Sequence, residues 1–231
     1  MRHYLTFAGK PSTDFKLYIS GAGTFDAPER DTKTVSIPGR NGDLTLDNGR
    51  YKNIKVEYPV AFAGDMKIIS EAIRNYFLSF TGYERLEDTY HPEEYRLARY
   101  YGDFESGSTK GMGAGISKLV FDCMPQRYLK EGEKQISFSA RGNIFNPTMM
   151  DAKPLLYITG RGTITVGNVR ITINQAPVYI DCEIQEAYNA QHTSMNSQIT
   201  LNDGIFPVLK PGENLIVPSG SMNITPRWWK L

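Results

Sequence analysis

Three histidines, a glycine-rich run and an acidic cluster are the residues of this chain whose types could support chemistry. His3, His91 and His192 are widely separated, and none has Cys, His or Asp neighbours at the spacings that surround a metal ion. The segment Gly107-Ser108-Thr109-Lys110-Gly111 comes nearest to a nucleophile elbow, but Thr109 stands where the G-x-S-x-G pattern needs serine. Gly111-Met112-Gly113-Ala114-Gly115 has the glycines of a phosphate cradle without the Gly-Lys-Ser/Thr ending, and strand-like residues follow it instead of a helix N-terminus. Glu84, Glu87, Asp88, Glu93 and Glu94 surround Tyr90-His91-Pro92. A glycosidase pair needs one acid in an apolar pocket, whereas these sit among charges such as Arg85 and read as a solvated face. No catalytic residue, cofactor or metal site is expected.

Aromatic pairs are the other candidates for ligand contact. Successive side chains on a strand point to opposite faces. Tyr100-Tyr101 and Trp228-Trp229 are therefore each expected to split between core and surface rather than to form flat stacking platforms. Cys123 and Cys182 read as two buried free thiols.

The remaining feature is a tip made for geometry. In Ser36-Ile37-Pro38-Gly39-Arg40-Asn41-Gly42-Asp43-Leu44, Pro38-Gly39 is turn chemistry and Asn41-Gly42 predicts a second reversal of the type I′ kind. Val35, Ile37 and Leu44 flank it as strand residues. Pro38, Gly39, Arg40, Asn41, Gly42 and Asp43 thus form a compact exposed tip, and they are the candidate partner-binding residues, for an oligomer or tube contact.

The elements that carry this tip are mainly β. Leu5 to Phe7, Phe15 to Ile19, Lys33 to Ile37, Leu44 to Leu46 and Tyr51 to Val60 read as strands, the last with Ile54, Val56 and Tyr58 alternating against Lys55 and Glu57. One helix interrupts them: Asp65 is its N-cap, Met66, Ile69, Ile73 and Phe77 form its apolar stripe, and Gly82 is expected to end it. Ser106 to Gly115 reads as a loop, and Leu119 to Cys123 as a strand. Beyond Gln126 the chain becomes polar and then shows only short strands broken by Gly, Asn and Pro, the pattern of a β-sandwich. The division predicted is a domain over 1–130, a connector over 131–145 and a sandwich over 146–231.

Composition narrows the function classes. The 231 residues carry 26 basic and 25 acidic side chains, a formal net charge of +1. That balance provides no electrostatic footprint for nucleic acid or for an anionic membrane surface. No apolar run approaches the ~18 residues of a membrane-spanning helix, and Met1 to Pro11 lacks the apolar core of a signal peptide. The 14 tyrosines and 11 phenylalanines suit a β-rich assembly protein.

The tip resembles the PGR-x-G signature of the siphophage distal tail protein family, Dit. The likeness continues through Asn146-Pro147, Pro154 to Gly160, Tyr179 to Glu183, Phe206 to Asn214 and Ile224 to Trp228. It implies a β-rich N-terminal belt domain with one helix that assembles into a homohexameric ring, and a galectin-like C-terminal β-sandwich. It further implies a structural role at the phage tail tip, in the virion, joining the tail tube protein to the baseplate hub, with receptor-binding or side-fibre proteins as additional partners. The chain lacks the large insertions that carry carbohydrate-binding modules in some members. The alternative is a lectin-like adhesin module that binds host cell-wall saccharide. A wall hydrolase would need a catalytic constellation not found here.

Overall fold

The computed structural model describes residues 2–21, 27–102, 106–108 and 114–231, and these residues divide into two compact units between Arg127 and Tyr128. The fold is mainly β, with a single α-helix among the described residues.

In the first unit the strands are β1 (Leu5–Phe7), β2 (Lys10–Pro11), β3 (Leu17–Ile19), β4 (Arg30–Val35), β5 (Leu44–Tyr51) and β6 (Ile54–Ala63). Helix α1 (Met66–Phe77) follows, then β7 (Glu84–Asp88), β8 (Glu94–Tyr100), β9 (Ser106–Ser108) and β10 (Ala114–Leu129). One sheet runs in the order β2-β1-β7-β8-β10-β6-β3, with β9 also paired to β10. The alternation read in β6 is real: Ile54, Val56, Tyr58, Val60 and Phe62 are buried. Antiparallel register places Leu119, Phe121 and Cys123 of β10 opposite Tyr58, Val56 and Ile54, on that same inner face.

Helix α1 covers this face. Asp65 caps it, its carboxylate accepting the Lys67 N–H at 2.8 Å. Ile69, Ile73 and Phe77 are buried in the core as the spacing predicted. The Phe77 ring stacks on Phe7 at 5.2 Å and lies 5.2 Å from Tyr100 and 6.0 Å from Phe121. Such aromatic clusters add about 0.5–1.5 kcal/mol per pair beyond area burial. The helix ends earlier than expected. Leu78 closes it in a right-handed conformation, so Gly82 is not its terminator, and Phe80 packs on the core from beyond the last turn. A second local difference is Phe15, which lies in a 3-10 turn (Ser12–Phe15) rather than a strand. Buried Ser12 stabilises that turn, its hydroxyl accepting Leu5 N–H at 3.3 Å and donating to Leu17 O at 3.0 Å.

The second unit is a two-sheet sandwich. Its strands are β11 (Ile136–Phe138), β12 (Gly142–Asn146), β13 (Leu155–Ile158), β14 (Gly162–Val166), β15 (Val169–Ile173) and β16 (Val178–Asp181). After them come β17 (Glu186–Tyr188), β18 (Ile199–Leu201), β19 (Gly212–Val217) and β20 (Met222–Thr225). One sheet has the order β11-β20-β13-β16-β17 and the other β12-β19-β14-β15-β18. Leu156, Ile158, Ile164, Val166, Ile171, Ile180, Ile216, Ile224 and Trp228 fill the space between them. Residues 131–145, expected as a connector, carry a 3-10 turn and the strands β11 and β12, each the end strand of a sheet. Their polar exposed positions hid a single inward row: in β12 only Ile144 and Asn146 are buried.

Candidate functional site

The candidate tip lies at the end of a ribbon. β4 and β5 form a two-stranded antiparallel sheet that, among the described residues, pairs with no other strand. Register sets Lys33 opposite Leu46, Thr34 opposite Thr45 and Val35 opposite Leu44. Side chains alternate along each strand and opposed residues point the same way. One face of the ribbon is therefore Lys33, Val35, Leu44 and Leu46, and the other is Thr32, Thr34, Thr45 and Asp47. Most of the ribbon is solvent-exposed, with Leu44 at 38% and Leu46 at 47%.

Ion pairs lock the base of the ribbon. The Arg30 guanidinium binds Asp47 Oδ2 through Nη2 at 2.7 Å and donates from Nη1 to the Tyr51 hydroxyl at 2.7 Å. Arg50 binds Asp31 at 2.7 Å, and Lys52 binds Glu29 at 3.2 Å. The hydrogen bonds from Arg50 and Arg30 hold the Asp31 and Asp47 carboxyls below their ordinary range. Each pair lies at the surface with an exposed cation, so these contacts set geometry more than stability.

At the tip, Arg40 N–H bonds Ile37 O at 3.1 Å across Pro38-Gly39, and Gly39 has φ +79°. Pro followed by a residue of positive φ is the type II turn. The second reversal differs from expectation. Gly42 has φ +81°, but Asn41 is not left-handed, so the type I′ turn, which needs both, does not form. Pro38, Gly39, Arg40, Asn41, Gly42 and Asp43 are all exposed.

The other sequence candidates are not brought together. His3 stacks on Tyr90 at 3.8 Å, His91 bonds Asp88 at 3.1 Å, and His192 stacks on Tyr188 at 5.1 Å. Among the described residues no group of His, Cys, Asp and Glu is arranged to hold a metal ion. The glycine run Gly111 to Gly115 and the loop from Ser106 lie partly outside the described residues; Ser106–Ser108 pair with β10, as do Ala114 and Gly115 with β6.

The acidic cluster is more embedded than a solvated face. Asp88 accepts the Tyr58 hydroxyl at 2.8 Å and the N–H groups of Tyr90 and His91 at 2.9 and 2.8 Å. Burial, then the neighbouring Asp88, pushes the Tyr58 phenol well above its usual value. Glu94 lies 3.5 Å from Arg127, and the space beside it amounts to about 10 Å³, room for one water. These carboxylates brace a turn.

The tyrosine pair splits between core and surface as expected, whereas Trp228 lies outside a strand and Trp229 is half-buried against the same sandwich core. Tyr100 and Trp228 are buried, while Tyr101 is exposed under Lys55 and Trp229 donates from Nε1 to Asp151 O at 2.9 Å. A row that was not foreseen crosses the sandwich: Tyr157 is 4.6 Å from Tyr179, and Tyr179 is 5.5 Å from Tyr188. These are cross-strand neighbours by register, and only pairing, not spacing in sequence, aligns them.

No family model matches the chain, and no curated protein sequence matches it. Solved structures do. The crystal structure of SPP1 Dit (gp 19.1), described as a paradigm of the hub adsorption apparatus in phages infecting Gram-positive bacteria, superimposes with a TM-score of 0.77 at 12% identity over 99% of both chains. A chain of the phage p2 baseplate in its activated conformation with Ca matches with a TM-score of 0.50 at 10% identity over 97% of both chains. The chain has the fold of a phage distal tail protein, as its sequence resemblance implied.

Proposed function

We propose that this chain is a structural component of a phage tail tip, a distal tail protein whose first unit closes into a homohexameric ring. The observation that carries this reading is the β4–β5 ribbon. A two-stranded ribbon is marginally stable alone in water. This one sets exposed Leu44 and Leu46 beside half-buried Val35 along a single face. The exposed leucines of this face, which Lys33 shares, are accounted for by burial against the next copy. Ribbon and receiving surface are different patches, so the contact is heterologous, and repeated rotation closes a ring. Each contact must bury on the order of 1,000 Å² to persist.

In this reading the tip from Pro38 to Asp43 extends the contact to the neighbouring subunit or the tail tube protein. One ring face receives the tube, and the opposite face docks the baseplate hub protein. The sandwich offers attachment surface to receptor-binding or side-fibre proteins. The work is geometric and requires no cofactor, and its place is the tail tip of the virion. The fold likeness to SPP1 Dit supports the assignment.

Light scattering coupled to size exclusion tests it. The expected mass is six times the chain's 26.0 kDa, with a ring and central lumen in electron micrographs. A single-chain mass that persists at high concentration and on co-expression with a tail tube protein overturns the ring.

A further inference from the structure

Asparagine is followed by glycine at two places in this chain, Asn41-Gly42 and Asn48-Gly49, and both lie on the β4–β5 ribbon or its tip. The pair carries an intrinsic reaction. The main-chain nitrogen of the glycine can attack the side-chain carbon of the asparagine, because glycine has no Cβ to block the approach. The two copies stand in different surroundings.

Asn48-Gly49 is fastened at both reacting groups. It lies within β5, between the pairing of Thr32 with Asp47 and that of Arg30 with Tyr51. The Gly49 N–H donates to Asp47 Oδ1 at 2.8 Å, and Arg30 holds that carboxylate at 2.7 Å. The Asn48 amide is one of the groups that keep the Asp31 carboxyl below its ordinary range. Asn41-Gly42 has none of these ties. It lies outside both strands and is exposed, and among the described residues neither the Asn41 side chain nor the Gly42 N–H makes a hydrogen bond. No atom lies within 4 Å of the place a Cβ on Gly42 would take, so water and base reach this nitrogen freely.

We propose that Asn41 is a self-modifying site, which in the free chain converts to aspartate and isoaspartate while Asn48 is preserved. Gly42 N gives up its proton and bonds to Asn41 Cγ. The Cγ–Nδ2 bond breaks, and the amide nitrogen takes up a proton and leaves as ammonia. Water then opens the five-membered imide at either carbonyl, leaving aspartate or, with the main chain routed through Cγ, isoaspartate. One water is consumed for each ammonia released, with no oxidant, reductant or cofactor. The product sets a new carboxylate next to Asp43 on a tip whose only cation is Arg40. In the ring proposed above this tip is buried at its contact, so on that reading the modification accumulates on copies left outside the assembly.

The test follows the full-length chain at pH 8 by peptide mapping, folded and in denaturant. In the folded chain Asn41 is expected to convert at least about tenfold faster than Asn48, since Gly49 must first give up a hydrogen bond to a charged group. In denaturant the two rates should come together. Asn41→Gln, which would need a larger ring to react, should stop conversion at this position and leave the melting temperature unchanged. Equal rates in the folded chain, or an Asn41 that stays intact while the denatured chain converts, overturns the site. Size-exclusion fractions test the tie to assembly: the oligomer should convert more slowly than the single chain, and equal conversion overturns that tie. A chain that never oligomerises overturns the ring and the tie with it, while the rates at Asn41 and Asn48 still decide the site.

Discussion

Arg227 grips Asp181 through two parallel hydrogen bonds, Nη1 to Oδ1 at 2.6 Å and Nη2 to Oδ2 at 2.8 Å. The pair joins the end of β16 to the segment after β20, and Asp181 Oδ1 also accepts the Glu183 N–H at 3.0 Å. Burial by itself would raise the Asp181 carboxyl. The guanidinium and the backbone N–H groups of Glu183 and Ile184 outweigh it, and the carboxyl lies below its usual value.

The sign of the resulting pH dependence follows. A carboxyl depressed in the folded state contributes stability that is present above its unfolded value, near 3.8, and is lost as pH falls through the lower folded value. Asp181→Ala leaves the Arg227 charge partly buried without this partner. It should destabilise the sandwich by about 2–3 kcal/mol at neutral pH, less than a fully buried pair because the Arg227 side chain is 26% exposed. Denaturant titrations at pH 7 and below pH 4 check this: the gap between wild type and variant should narrow at acid pH.

The aromatic centre of the first unit sets its stability. Phe77 is fully buried against Phe7, Tyr100 and Phe121. Phe77→Ala should cost about 3–5 kcal/mol through lost burial and an unfilled cavity. Amide exchange should rise across α1 and β6 while the sandwich strands keep their protection.

Leu44→Asp with Leu46→Asp tests the ribbon. Both side chains are exposed, so the chain should still fold, with an unchanged circular dichroism spectrum, while its melting temperature loses the part that the subunit contact contributed. The sedimenting mass should fall to that of one chain, because two charges would be buried at the subunit contact and only position 46 has a cation, Lys33, opposite it.

Gly39→Val with Gly42→Val tests the tip. A side-chain carbon added at either position would meet no atom within 4 Å, so the effect lies in the backbone. There, left-handed φ of +79° and +81° opposes a β-branched residue. The expected outcome is a folded chain that no longer forms the oligomer. An unchanged oligomer mass by light scattering would sink the role assigned to these residues.

The two thiols should be silent in the folded protein. Cys123 lies in the core of the first unit and Cys182 in that of the second. Burial pushes the Cys123 thiol up to about 12 and raises that of Cys182 as well. A thiol reagent at pH 8 should label neither until denaturant is added, and then both.

What the sequence determined by itself was whatever a residue's near neighbours decide. The 3.6-residue stripe of Ile69, Ile73 and Phe77, the Asp65 cap and the alternation of Ile54, Val56 and Tyr58 are local, so they were readable and the structure has them. The turn at Pro38-Gly39 belongs to the same class, since a ring-fixed φ and a free one are properties of those two residues. The tertiary structure alone decided the rest. Asn41 stays out of the left-handed region that its Asn-Gly pairing suggested, Leu78 ends the helix before Phe80 packs on the core, and Asp88 is fastened by groups from separate segments. The strands β11 and β12 looked like a polar connector because an edge strand buries few side chains. Which edges are covered, and which leave Leu44, Leu46 and Phe145 in water, depends on pairing between residues distant in the chain, which no short pattern encodes.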